Sequence, residues 1–176
     1  MGRWGTRLIG AAAIATFPAP MAIAEPAPDA FEQGKAASAA GRHDEALAHF
    51  RRHLEASRAA GDDPGIYRAL SNVGFSLRDL GRDDEAIAAL DEAAALGRRY
   101  KLTWPLVQVV HPIGRIHAAN RRTDRARVAF DEAIAILRQL QDRQLELAVV
   151  LSDLGAVEDS IGRYPKAHEA YAEAVA

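Results

Sequence analysis

One decapeptide is written nearly twice: "GRHDEALAHF" begins at Gly41 and "GRDDEAIAAL" at Gly81, forty residues later. The pair belongs to a longer register. Gly34, Gly74, Gly114 and Gly155 recur at intervals of 40, 40 and 41 residues, and Ala46, Ala86, Ala126 and Ala167 each follow twelve residues behind. Four residues after each alanine stands a large apolar side chain: Phe50, Leu90, Phe130 and Tyr171. Such a register demands a repeat architecture, because a small unit that cannot bury its apolar face alone must bury it on its neighbours. The unit is helical. Beyond Glu25 apolar residues fall at three- and four-residue intervals, and Ala, Leu, Glu and Arg, all good helix formers, dominate. Breaks at Gly41, 59–65, Gly81, 98–105, 120–124, 140–144 and 162–165 leave eight helices in antiparallel pairs.

Composition removes several classes of function. A chain of 176 residues holds one domain or several stacked units. Its net charge of −2, with arginines interleaved among acids, is not that of a nucleic-acid binder. Without cysteine there is no disulfide, no thiolate metal site and no thiol nucleophile.

The first 24 residues follow a different logic. Arg3 and Arg7 precede an apolar run from Leu8 to Phe17, and Ala22-Ile23-Ala24 offers a small-x-small cleavage site. This reads as a secretory signal peptide cleaved after Ala24, placing the mature chain in the periplasm or outside the cell. Ten apolar residues are too few to cross a bilayer, so a retained anchor is the weaker reading. Cleavage leaves 20 basic against 24 acidic residues, a mature charge of −4.

The glycines sit in "Leu70-x-x-Val73-Gly74-x-x-Leu77", "Val110-x-x-Ile113-Gly114-x-x-His117" and "Leu151-x-x-Leu154-Gly155-x-x-Glu158". With the Ala-x-x-x-Phe pattern downstream, this resembles the tetratricopeptide repeat family, whose helix-turn-helix unit carries apolar-x-x-Leu-Gly-x-x-Tyr on its first helix. The resemblance implies an all-α fold, an α-solenoid of about four stacked antiparallel repeats spanning about 27–62, 63–102, 103–142 and 143–176. A glycine on one helix and an alanine on the other let two backbones approach, with the large residue filling the wedge beside them. Asp44, Glu45, Asp83, Asp84, Glu85 and Asp124 near the starts of second helices, and Arg58, Arg98 and Arg138 near their ends, complement the helix dipole.

The chain departs from the family pattern at several points. Its units run to forty residues rather than about 34, with Arg58, Arg98 and Arg138 where a proline usually closes the repeat. The first repeat is degenerate, with Ala30, Gln33 and Ala37 at its apolar positions. Pro112 lies inside a first helix, where its ring removes a backbone hydrogen bond and predicts a kink. The last helix reaches Ala176 without a stop signal, so an open edge around Tyr171, Ala174 and Val175, self-association through it and a continuing chain are all expected.

No catalytic constellation emerges, so the expectation is a protein that is not an enzyme and carries no cofactor. His49 and His53 share a helical face but lack a third ligand, and His111 and His117 face different ways. The carboxylate pairs at 91–92 and 131–132 are adjacent on helices and diverge. No phosphate loop or nucleophile elbow is present.

The resemblance implies instead a concave groove lined by first helices. Its facing positions are Phe31, Lys35 and Ser38; Arg68, Ser71, Asn72, Phe75 and Arg78; Gln108, His111, Pro112 and Arg115; and Val149, Ser152 and Ala156. Lys35, Ser71, Phe75, Arg78, Gln108, His111 and Arg115 are the candidate partner-binding residues, and they give the groove a basic tone suited to another protein or an acidic peptide segment. The family's carboxylate clamp is matched only by Asn72. Two roles fit: an exported scaffold, or the extracytoplasmic sensor module of a larger signalling protein.

Overall fold

The computed structural model describes residues 29–175; the signal peptide read at 1–24 lies outside the described residues. Among them are eight helices and no strand: α1 (Ala30–Ala39), α2 (His43–Ala60), α3 (Asp63–Asp79), α4 (Asp83–Arg99), α5 (Trp104–Ala119), α6 (Thr123–Leu137), α7 (Gln144–Ser160) and α8 (Tyr164–Ala174). Each helix packs on its chain neighbours, and α5 also touches α7. The result is an all-α solenoid of stacked helical pairs. No helix among the described residues is long and apolar enough to cross a membrane.

The seam inside each pair explains the register. A Cβ placed on Gly34 would lie 2.6 Å from the Phe50 ring, on Gly74 2.5 Å from Leu90, on Gly114 2.5 Å from the Phe130 ring, and on Gly155 2.7 Å from the Tyr171 ring. The residue four places after each alanine therefore sits directly over the glycine. Ala46, Ala86 and Ala126 are wholly buried and Ala167 nearly so. Each contact pins a first helix to its own second helix at a separation no larger side chain permits.

Helix starts differ from expectation where proline intervenes. The stretch at 59–65 reads as a break, yet α3 begins inside it at Asp63, with Pro64 in its opening turn and Gly65 buried. Proline is tolerated there because the first helical amides have no intrahelical partner. Pro105 and Pro165 open α5 and α8 in the same manner. Pro112 lies within α5, which continues unbroken to Ala119.

Adjacent second helices are tied by a recurring rung. Arg58 donates to both carboxylate oxygens of Glu92 at 2.6 and 2.8 Å, Arg98 to those of Glu132 at 2.8 and 2.7 Å, and Arg138 to both oxygens of Glu173 at 2.8 Å. Arg58 and Arg98 lie in last turns, as the dipole argument requires, but their guanidiniums reach into the next repeat. Glu92 and Glu132, each one member of the divergent carboxylate pairs at 91–92 and 131–132, are the acceptors.

Two ionisable groups replace apolar residues in the interior. The first-helix position held by Leu77 in the second repeat carries His117 in the third and Glu158 in the fourth, all three buried. Burial, reinforced by the nearby Arg122 and Arg125 charges, lowers the His117 pKa from its usual value and favours the neutral ring. Glu158 keeps its charge company: Oε1 accepts from Arg127 Nε at 2.6 Å and Arg163 Nη1 stands 3.6 Å from Oε2.

Candidate protein-binding surface

On the surface formed by the first helices α3, α5 and α7, two hollows meet at His111, and a third of about 300 Å³ is lined by Arg115, Asp153 and Ala156 among others. The first, about 380 Å³, lies between α3 and α5 and is lined by Arg78, Asp83, His111, Pro112, Arg115 and Ile116. Arg78 and Arg115, from adjacent repeats, thus open onto one space, with His111 beside them. The second, about 310 Å³, lies between α5 and α7 and includes Trp104, Gln108, His111, Leu145 and Val149. Its rim is apolar and open: Leu145 is 82% exposed and Val149 52%. The Arg143 guanidinium lies 4.3 Å from the Trp104 ring centroid and holds that indole in place.

The candidate residues separate into several environments. Arg115 is exposed and Gln108 is exposed on α5. Phe75 is half-buried, packed against the core, with the Arg78 guanidinium 5.5 Å from its ring centroid. Ser71 corrects the groove assignment: it is 6% exposed, and its hydroxyl donates to the Tyr67 carbonyl at 2.8 Å, so it faces inward and offers a ligand nothing. Lys35 stands in the first repeat, remote in sequence from both hollows, and its ammonium pairs with Glu32 at 3.0 Å while lying 5.7 Å from the Phe31 ring centroid.

The basic tone is also reduced. Asp153 on α7 places Oδ2 2.7 Å from His111 Nε2 and 3.8 Å from Arg115 Nε. Arg78 meets the adjacent Asp79 at 2.8 Å. Every candidate cation on this face therefore has an acidic neighbour from its own chain. The sequence pattern shows the cations because they are grouped on helix faces, whereas Asp153 lies 42 residues from His111 and has no local signature.

His49 and His53 make contacts within their own repeat. His49 Nδ1 lies 2.8 Å from an Arg52 guanidinium nitrogen, and the His53 ring packs 5.0 Å from that of Phe31. Among the described residues no group of three or more potential metal ligands converges. At the far edge, Tyr171 and Val175 are exposed while Ala174 packs on the core.

Stacked helical pairs sharing a glycine-alanine seam and an open first-helix face define a helical-repeat scaffold, and comparison with known proteins specifies which kind. The family model for the tetratricopeptide repeat matches residues 30–99 and 107–176, and the chain belongs to that family. Among solved structures it is similar to BtubC (BKLC) from P. vanneervenii, with TM-score 0.77 and 21% identity over 82% of this chain and 60% of the other. It is similar to aspartyl phosphate phosphatase F from Bacillus subtilis, with TM-score 0.74 and 16% identity over 82% of this chain and 38% of the other. A third likeness is to a putative kinesin light chain with nearly identical repeats from Podosopora anserina, with TM-score 0.71 and 15% identity over 83% and 72%. This chain therefore spans 60% and 38% of the first two proteins. At these identities the likeness is one of fold. No curated protein matches.

Proposed function

We propose that this tetratricopeptide-repeat chain is an exported, non-catalytic scaffold that holds an acidic segment of another protein across its first-helix face. The observation that carries the reading is the hollow where Arg78 and Arg115 converge from successive repeats. Guanidinium groups present paired donors to carboxylates, and two of them on one concave wall select an acidic, extended or helical segment. The half-buried Phe75 ring supports the Arg78 guanidinium, and the open Leu145 and Val149 side chains give the same segment an apolar footing on the other side of His111. Such a surface recognises a partner without making or breaking bonds.

The test begins with a partner recovered by affinity capture. Phe75→Ala combined with Arg115→Ala should weaken its binding at least about tenfold, since truncating an interface anchor costs about 1–4 kcal/mol. Arg78→Ala with Arg115→Ala provides a second pair that leaves the core untouched. Unchanged affinity in both variants, with helical circular dichroism intact, would move recognition to the second-helix face. Export rests on Arg3, Arg7, the apolar run and Ala22-Ile23-Ala24, and predicts Glu25 as the mature N-terminus. Recovery of the full chain in the cytosol with Met1 in place would remove that part of the reading.

A further inference from the structure

Resting on the reading that the first-helix face takes an acidic segment, we propose that Asp153 determines its selectivity by occupying the place of a ligand carboxylate. The three candidate cations of this face are not neutralised alike. Lys35 pairs with Glu32 three residues before it, and Arg78 with the adjacent Asp79; both contacts are local, exposed and therefore weak. Asp153 instead reaches across from α7 to α5. A single oxygen, Oδ2, stands 2.7 Å from His111 Nε2 and 3.8 Å from Arg115 Nε. The first distance is a hydrogen bond and the second only an ion pair, and Arg115 lines both a hollow it shares with Asp153 and the one it shares with Arg78.

The repeat register places this acid in a column that reads Glu32, Asn72, Pro112 and Asp153, so an acid stands at either end of the stack and only Asp153 reaches a cation of the preceding repeat. Asp153 is one-third exposed, within reach of an incoming segment. A ligand carboxylate that approaches Arg115 arrives beside a like charge already facing the same guanidinium, and like-charge juxtaposition at an interface is strongly disfavoured. Entry requires Asp153 to turn aside, releasing His111 as well. An isolated acidic side chain gains too little to drive this exchange. A segment with several carboxylates, engaging Arg78 and Arg115 together, gains enough. Asp153 thus raises the acidity a partner must have before it is held.

The experiment measures fluorescence anisotropy of a glutamate-rich peptide and its glutamine counterpart against the parent protein, Asp153→Asn and Asp153→Ser. Both variants remove the charge, the first at nearly constant shape. The inference predicts that they bind the glutamate peptide at least about fivefold more tightly than the parent, with the glutamine peptide unaffected, and that adding Arg115→Gln erases the gain. Equal or weaker binding of the glutamate peptide to folded variants would overturn it and leave Asp153 as a tie between α5 and α7. A gain of the same size with the glutamine peptide would also overturn it, since a loosened helix pair is not selective for charge. If no protein binds the glutamate peptide, the acidic-segment reading falls and this inference with it.

Discussion

The inner seam of each helical pair and the outer first-helix face are built from the same helices, yet one repeats and the other does not. At the seam, glycine meets the residue four places beyond the alanine in all four repeats, with a virtual Cβ within 2.5–2.7 Å of Phe50, Leu90, Phe130 or Tyr171. On the face, the column holding Lys35 continues as Phe75, Arg115 and Ala156, and the column holding Phe31 as Ser71, His111 and Ser152. The seam is uniform because every pair solves one packing problem, and density leaves one solution. The face is less constrained: Ser71 and Phe75 turn toward the core, but Arg115 and Gln108 stand exposed, with no packing that imposes their type. What distinguishes this protein from others of its fold is therefore written in the columns that do not repeat.

The sharpest way to break the comparison is to put bulk or charge into the seam. Gly74→Leu drives a side chain into Leu90, and Ala86→Glu buries a carboxylate at a position with no exposed surface. Each should destabilise by several kcal/mol, seen as a lowered melting temperature. The face variants Arg78→Ala and Arg115→Ala should melt near the parent. A seam variant melting within a degree of the parent would show that the register does not carry the packing assigned to it.

A smaller loss is expected where a seam-side column carries an irregular charge. Glu158 stands where Leu77 stands two repeats earlier, and its buried Oε1 depends on Arg127. Arg127→Leu strands that carboxylate, with Arg163 still 3.6 Å from its other oxygen, and should cost about 3 kcal/mol, the usual penalty for breaking a buried pair from one side. Combining it with Glu158→Leu, which restores the residue type of the second repeat, should recover most of the loss. Failure of the double variant to recover in denaturant titration would mean that the ion pair also fixes the angle between α6 and α7.

Most of the fold was legible because its signal is periodic. The glycine-alanine register fixed the pairing of helices, and the breaks separate all eight, but α3, α5, α6, α7 and α8 each start inside the expected break, with Pro64, Pro105 and Pro165 in the opening turns of three of them. Contacts between repeats were less visible. The Arg58–Glu92 and Arg98–Glu132 rungs share a spacing of 34 residues, a regularity that only becomes meaningful once second helices are known to lie side by side. Ser71 was misplaced because its position borders both groove and interior, and a short hydroxyl can satisfy itself on a carbonyl one turn back. Asp153 has no signature because a cross-repeat ion pair leaves no local pattern, and Leu145 has none because an exposed apolar residue near a helix start looks like an ordinary core position.

The smallest expected effect tests whether the third repeat is less well sealed than the others. The turn between first and second helix passes through the left-handed region at Gly41, Gly81 and Gly162, with φ of 72°, 71° and 75°, but at the equivalent place in the third repeat stands Arg121 with φ of 56°. A side chain there crowds its own carbonyl at a cost of about 1–2 kcal/mol, which glycine avoids. Glycine also gives the unfolded chain more freedom, returning about 0.4–1 kcal/mol of that gain. Arg121→Gly should therefore stabilise by about 0.5–1 kcal/mol and raise the melting temperature by about 1–4 °C in a chain of this length. The helices it joins are α5, which carries His111 and Arg115, and α6, so the gain should appear as slower amide exchange at the end of α5 with no change in partner affinity. A lower melting temperature would show that the Arg121 side chain holds the turn, and that this repeat is sealed by a means the other three do not use.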